Sequence, residues 1–291
     1  MPKSLVFGAS GAIGRFLVPR LLAAHHDVIA LSRQPRSSGN PRLRWIAGDL
    51  FVHPLERKDI DTIYSLGPLD GCAQWLQRAD IAGKPRVVAI GSMSAQTKQT
   101  SADAHERQIA DRLLAAEREL AAAADARGCA WTVLRATLIY GTGLDRSLTP
   151  MVRFAQRWRL FPYVARAPGL RQPVHADDLA LACIAAASSW VTTRRVYALG
   201  GGERLAFGTM LARVHASLPF ATIALPVPLA VVHAGAGLAR MLPAFRAAST
   251  AAVQRMREDL VVDHSQAIED FGWAPREFRP DAQAWTAPPL P

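Results

Sequence analysis

The sequence has little of what staples small folds or binds metals. Its three cysteines, Cys72, Cys129 and Cys183, lie far apart with no CxxC pair, which argues against both a disulfide framework and a cysteine zinc site. A reducing cytoplasm is the expected compartment, and no resident metal is expected. Lysine is scarce for so basic a chain: Lys3, Lys58, Lys84 and Lys98 are only four of the 34 basic residues behind a net charge of +10. Nucleic-acid binders gather charge on one face with interleaved aromatics. Here the arginines are scattered, so nucleic acid is not an expected partner. A diffuse positive field favours a small anionic cofactor or substrate; the alternative is an arginine-rich and alanine-rich compositional habit.

Long clean apolar runs are also missing. Met1 to Phe7 is too short and too soon interrupted by glycines for a signal peptide, and reads as a first core strand. Ile223 to Leu242 is broken by Pro226, Pro228, His233 and Arg240, so membrane contact is not expected, although a helix facing a hydrophobic or lipid-like ligand is compatible with it. What is present is ample core material: 291 residues, half of them hydrophobic, enough for one doubly wound domain and a smaller appendage.

The chain opens with an apolar strand running into Gly8, Ala9, Ser10, Gly11, Ala12, Ile13 and Gly14, followed by an amphipathic helix through Phe16, Leu17, Leu21 and Leu22. Glycines at this spacing allow a tight strand-to-helix turn, close approach to a pyrophosphate, and phosphate binding at the helix N-terminus. The pattern predicts dinucleotide binding, with a tight unliganded turn as the alternative. Apolar runs then alternate with helical patterns, the signature of βαβ units. Strands are predicted at Ser4 to Phe7, Asp27 to Leu31, Leu43 to Ile46, Thr62 to Ser65, Arg86 to Ile90, Trp131 to Arg135 and Arg195 to Leu199. The clearest helix runs from Asp103 to Arg127, with Ser101 or Asp103 as cap and Gly128 as stop. The fold expected is α/β: a Rossmann-type doubly wound parallel sheet with a smaller, mostly helical C-terminal substrate subdomain. The NAD(P)-binding domain takes 1–200, with 151–173 on the substrate side, and the substrate-binding subdomain takes 201–291.

Ligands of such sheets lie beyond the carboxyl ends of the strands. After the second strand, Arg33 and Arg36 stand where an NAD enzyme has a carboxylate, which favours NADP over NAD, unless both are solvated loop arginines. After the third, Asp49 can accept from an adenine amino group with Leu50 on the ring, or cap a helix. Leu66, Gly67 and Pro68 form a bend beside the cofactor. After the fifth, Ser92 and Ser94 are candidate hydrogen-bond donors to a reacting oxygen, or ordinary turn serines.

Together these positions resemble the extended and atypical short-chain dehydrogenase/reductase superfamily, particularly its NAD-dependent epimerase/dehydratase-like and NmrA-like branches. The likeness rests on GASGAIG (Gly8 to Gly14), GDL (Gly48 to Leu50), Ser92 and Ser94, LRATLIYG (Leu134 to Gly141), RQPVHADDLA (Arg171 to Ala180) and a closing GWAPREF. It implies an NAD(P)-dependent oxidoreductase or epimerase-like protein acting on a small carbonyl or alcohol, or on a nucleotide-linked substrate. Thr137, Leu138 and a catalytic Tyr140 would lie at the nicotinamide end. Arg171 would contact substrate phosphate, and His175, Asp177 and Asp178 would cap a helix and join substructures. Homodimers through the helix at Asp103 to Arg127 are also implied.

One departure is plain. The superfamily's tyrosine with a lysine four residues later is absent: Tyr64, Tyr140, Tyr163 and Tyr197 are followed by Pro68, Leu144, Ala167 and Gly201. Aligning the family's alanine-glutamate pair with Ala116 and Glu117 puts Ile109 in place of tyrosine and Leu113 in place of lysine. Ile109, Leu113, Ala116 and Leu120 then form an apolar packing stripe. One residue out of register, Gln108 and Arg112 would face the site. Nearby, His105 and Lys98 are the groups that could substitute. The alternative is a non-catalytic NADP-binding redox sensor or a regulatory or assembly protein.

Overall fold

The structure, a computed structural model, describes residues 1–51, 59–164, 167–228 and 255–290. Seven strands, β1 (Lys3–Phe7), β2 (Asp27–Ser32), β3 (Leu43–Ala47), β4 (Thr62–Ser65), β5 (Arg86–Ser92), β6 (Trp131–Ala136) and β11 (Arg195–Leu199), pair into one sheet. Its order is β11-β6-β5-β4-β1-β2-β3, and every pairing is parallel. The order reverses between β1 and β4, which opens a crevice beyond their carboxyl ends. Several strands outrun their apolar runs because the ladder continues: Gly91 and Ser92 pair with Arg135 and Ala136. Ser92 is thus the last residue of β5 and does not follow it.

Side chains alternate between two cores, as the pleat requires. Val6, Val28, Ala30, Val88 and Leu134 face the first, and Leu5, Phe7, Ile29, Ile63 and Val133 the second. Helices α1 (Gly14–Ala23) and α6 (Ala176–Ser188) cover the first, while α2 (Leu69–Arg78) and α4 (Ala104–Ala126) cover the second. The Asp103 side chain caps α4 by accepting from the His105 N–H at 2.8 Å, and Gly128, at φ +66°, ends its exit turn. All three cysteines are free and buried, and burial pushes the Cys72 thiol up to about 12.

A third core gathers Tyr140, Leu148, Val152, Phe161, Leu205, Met210, Val214, Phe278 and Ala284. It therefore draws on residues before and after position 200. Three two-stranded ribbons frame it: β7 (Ile139–Tyr140) with β10 (Val174–His175), β9 (Leu170–Arg171) with β12 (Leu205–Ala206), and β8 (Leu160–Tyr163) with β13 (Ile223–Pro226). Helices α5 (Thr149–Trp158) and α7 (Phe207–Ala216) pack around them, and α8 (Ser265–Phe271) leads into the closing GWAPREF stretch. Of the apolar stretch proposed for a hydrophobic ligand, Ile223 to Pro226 forms the exposed strand β13; from position 229 it lies outside the described residues. Among the described residues, no helix is long and apolar enough to cross a membrane.

Arg86 locks the sheet to α6. Buried at the start of β5, it donates to the carbonyls of Ala186 (3.1 Å) and Ser189 (2.6 Å) and to the hydroxyls of Thr192 and Thr193 (3.2 Å). An Arg86→Met variant leaves these acceptors without their donor and is expected to lose about 2–4 kcal/mol of stability, read as a lower urea midpoint.

Candidate functional site

The site begins at the glycine turn. Gly8, at φ +74°, closes on the bend after β4: a Cβ there would lie 3.0 Å from the Leu66 carbonyl carbon. Gly14 presses the first turn of α1 against the loop so closely that a Cβ would sit 2.3 Å from the Ala9 oxygen. Gly11 donates its N–H to the Gly8 carbonyl at 2.9 Å, and no side chain caps α1. Its first-turn N–H groups therefore form the positive helix end that an anion seeks. Ile13 turns its side chain into the first core, while Ala12 faces a cleft. A Cβ on Gly67 would meet nothing within 4 Å, so the bend before Pro68 borders open space. Backbone here leaves room for a dinucleotide, and the residues fit that group.

Three guanidinium groups follow the turn or the end of β2. Ser32, at the end of β2, accepts from Arg36 Nε at 3.0 Å and from the Gln34 N–H at 3.2 Å, and Arg36 lies over the Trp45 ring. Arg33 is exposed. Sequence reasoning missed the third, Arg15, whose proton is held less tightly than usual through burial and the nearby Arg36 charge. The missed signal was its place in the first helical turn, directly after Gly14. Asp49 accepts from the Phe51 N–H at 2.9 Å, and Leu50 leans on α2, where a Gly71 Cβ would meet its Cδ2 at 2.8 Å.

From Ala12 the cleft, about 840 Å³, continues past Ser92, Ser94, Thr137 and Leu138. The Ser92 hydroxyl accepts from the Ser94 N–H at 3.2 Å, and Thr137 donates its hydroxyl to the Gln172 carbonyl. Ile109 and Leu113 line the same cleft, half-buried. This corrects the expected packing stripe: Leu120 enters the second core and Ala116 leans on it, but the other two form an apolar wall of the cleft. Below them Glu117 receives Arg135 through Nε (3.0 and 3.1 Å) and Nη2 (2.5 Å).

Three expected site residues are placed otherwise. Tyr140 is 2% exposed, packs edge-on against His175 and Phe278, and has its phenol raised by burial. Its face is set by pairing of β7 with β10, so it belongs to the third core and does not line the cleft. His105 is exposed on the first turn of α4 and likewise does not line it. Arg171 lines the cleft, yet its guanidinium donates to the carbonyls of Leu170 (2.8 Å), Glu258 (2.8 Å) and Arg255, and stacks on Phe207. It holds a late segment in place and leaves little of itself for a phosphate.

Comparison with known proteins agrees with this geometry. Residues 8–142 match a family model described as NAD(P)H-binding. Among solved structures, the chain resembles MoeE5 in complex with UDP-glucose and NAD (21% identity, TM-score 0.68, 97% of each chain). It also resembles UDP-glucuronic acid 4-epimerase from Bacillus cereus in complex with NAD (12%, 0.68, 98% of this chain and 97% of that one). A third is dTDP-glucose 4,6-dehydratase from Bacillus anthracis in complex with NAD (14%, 0.67, 98% and 94%). At these identities the likeness is one of fold. That likeness of fold runs over nearly the whole chain. No curated protein matches the sequence.

The seven-stranded sheet and its helices are tied to the rest of the chain at the start of α6. His175 caps this helix by accepting from the Asp177 N–H at 3.1 Å. Asp177 receives Arg20 of α1 (Nε, 2.8 Å) and Arg276 (Nη2, 2.9 Å), and Asp178 receives Arg276 (Nε, 2.8 Å). Burial pushes the Asp177 carboxyl up, but hydrogen bonds from Arg20 and Arg276 more than reverse it, so its value lies below the usual carboxylate range. Its contribution is therefore present above the unfolded value of about 3.9 and lost as pH falls through the lower folded value. An Asp177→Asn variant is expected to cost about 1–3 kcal/mol at pH 7, with the gap from wild type closing below about pH 4 in paired denaturant titrations.

Proposed function

We propose that the chain is an NADP-dependent oxidoreductase or epimerase-like enzyme acting on a small carbonyl or alcohol, or a nucleotide-linked substrate. The observation that carries this reading is the continuity of one cleft, from Ala12 at the glycine turn to the hydroxyls of Ser92 and Ser94. A nicotinamide cofactor, when bound, supplies hydride transfer. The chain's own residues do the rest. Gly8, Ser10, Gly11, Ala12, Ile13 and Gly14 hold the pyrophosphate by backbone at the start of α1. Asp49 and Leu50 take the adenine, and Leu66, Gly67 and Pro68 let the cofactor pass. Thr137 and Leu138 flank the nicotinamide end, and Ser92 and Ser94 donate to the substrate oxygen.

Support for NADP comes from charge. Ser32 ends β2 where a carboxylate would serve a ribose hydroxyl, and Arg33 and Arg36 follow it, with Arg15 facing Arg36. Guanidinium groups suit a 2′-phosphate. An anionic substrate fits the same ground, since Lys98, Arg146 and Arg255 line the cleft and MoeE5 is solved with UDP-glucose. Three free, buried thiols fit a cytoplasmic protein.

A second reading rests on Ile109 and Leu113. With apolar side chains in place of the proton-transfer pair, a non-catalytic NADP-binding redox sensor would need nothing more of the cleft than cofactor recognition.

One measurement tests the cofactor assignment and a second separates enzyme from sensor. By calorimetry, Arg33→Ala and Arg36→Ala are each expected to weaken NADP binding about tenfold, roughly the worth of one charge-assisted contact, and to spare NAD; equal loss for both cofactors refutes the 2′-phosphate assignment. Ser92→Ala with Ser94→Ala is expected to lower kcat roughly 100-fold without changing dinucleotide Kd. A wild-type protein that oxidises no NADPH with any carbonyl, and exchanges no epimer in deuterated water, is the sensor.

A further inference from the structure

The short helix α3 (Ser94–Thr97) is a single turn at the end of β5. Ser94, Thr97 and Lys98 stand at i, i+3 and i+4 on it, positions that share one face. The backbone is wound accordingly, with the Lys98 N–H donating to the Ser94 carbonyl at 3.3 Å, and all three residues line the cleft. A hydroxyl followed four residues later by an ammonium is the spacing that α4 lacks. It recurs here, one element earlier, on the same cleft that Ile109 and Leu113 wall.

The ammonium is enclosed. The Lys98 side chain is 18% exposed and its Nζ lies 3.7 Å from Glu106 Oε1. Glu106 does not belong to Lys98 alone: its carboxylate also accepts the Ser101 hydroxyl at 2.8 Å and pairs with Arg255. The charged groups facing Lys98 are thus Asp103 and Glu106 from the start of α4, and Arg255 from the late segment that Arg171 holds.

We propose that Lys98 is the proton source for the cleft's reaction, delivering through the Ser94 hydroxyl to the substrate oxygen. The inference rests on the oxidoreductase reading given above. In the reductive direction the substrate carbonyl carbon takes a hydride, with its electron pair, from the dihydronicotinamide. The carbonyl oxygen takes the Ser94 proton, Ser94 takes one from the Lys98 ammonium, and the neutral amine regains a proton from water. Burial and the Arg255 charge both ease proton release from Lys98, Asp103 opposes them, and the net effect places Lys98 below the ordinary lysine value. Lys98 is a positioning residue acting through Ser94, and Glu106 pairs with its ammonium.

With only four lysines in the chain, the test is direct. Acetylation of the full-length protein across roughly pH 7 to 11, read by peptide mass spectrometry, is expected to give Lys98 a labelling midpoint below the ordinary value of about 10.4; a midpoint at or above it overturns the proposal. Lys98→Met and Lys98→Arg are each expected to lower kcat at least roughly 100-fold with NADP Kd unchanged, because arginine keeps the charge but cannot release a proton. Wild-type kcat should fall as pH rises through the Lys98 midpoint, and a Lys84→Met control should behave as wild type. Full rate in Lys98→Arg overturns the donor role alone. A wild-type protein that binds NADP yet reduces no carbonyl overturns the enzyme reading, and the donor role falls with it.

Discussion

Two carboxylates at the first turn of α6 hold the molecule's parts in register. Asp177 and Asp178 sit where the helix dipole favours negative charge, and two guanidinium groups reach them from opposite directions, Arg20 on α1 and Arg276 from the late segment. Buried ions of this kind are costly unless fully matched. Here the match of two anions with two cations fixes the helix that bears the glycine turn relative to the segment that closes the third core. Close backbone contacts reinforce it: side chains on Gly200, Gly201 or Gly202 would collide with Gln172, with the Pro173 carbonyl at 1.8 Å, or with the Pro275 carbonyl at 2.4 Å. The cleft is the gap left once these contacts are satisfied.

That gap has an uneven chemical character. Its near end is backbone and small side chains, one wall is aliphatic, and its far end carries Lys98, Arg146 and Arg255. Asp145, also on the lining, is occupied with the N–H groups of Ser147, Leu148 and Thr149 at the start of α5. Positive charge inside a low-dielectric recess acts over longer distances than on an open surface, and Glu106 offsets part of it by pairing with both Lys98 and Arg255.

Local features of this organisation were legible in the sequence. The glycine turn, the strand runs and the Asp103 cap depend on neighbours a few residues away, and all stand where the pattern put them. What was illegible depends on distant partners. Tyr140 follows a strand and reads as a cleft residue until β10, more than thirty positions later, fixes its face. Arg171 reads as a phosphate ligand until carbonyls 84 and 87 residues onward take its N–H groups. Arg15 reads as a surface helix residue until Arg36 is brought beside it. Ile109 and Leu113 were read correctly as apolar, but periodicity cannot say whether an apolar face meets a core or a cleft.

The strand order has a consequence for how the protein is made. β1 lies inside the sheet; β2 and β3 extend it on one side, and β4, β5, β6 and β11 extend it in turn on the other. Each strand, as it leaves the ribosome, therefore docks on a free edge, and none has to be threaded between two already paired. The sheet can be laid down in order of synthesis, whereas Arg276, made 99 residues after Asp177, closes the joint only when nearly everything else is in place.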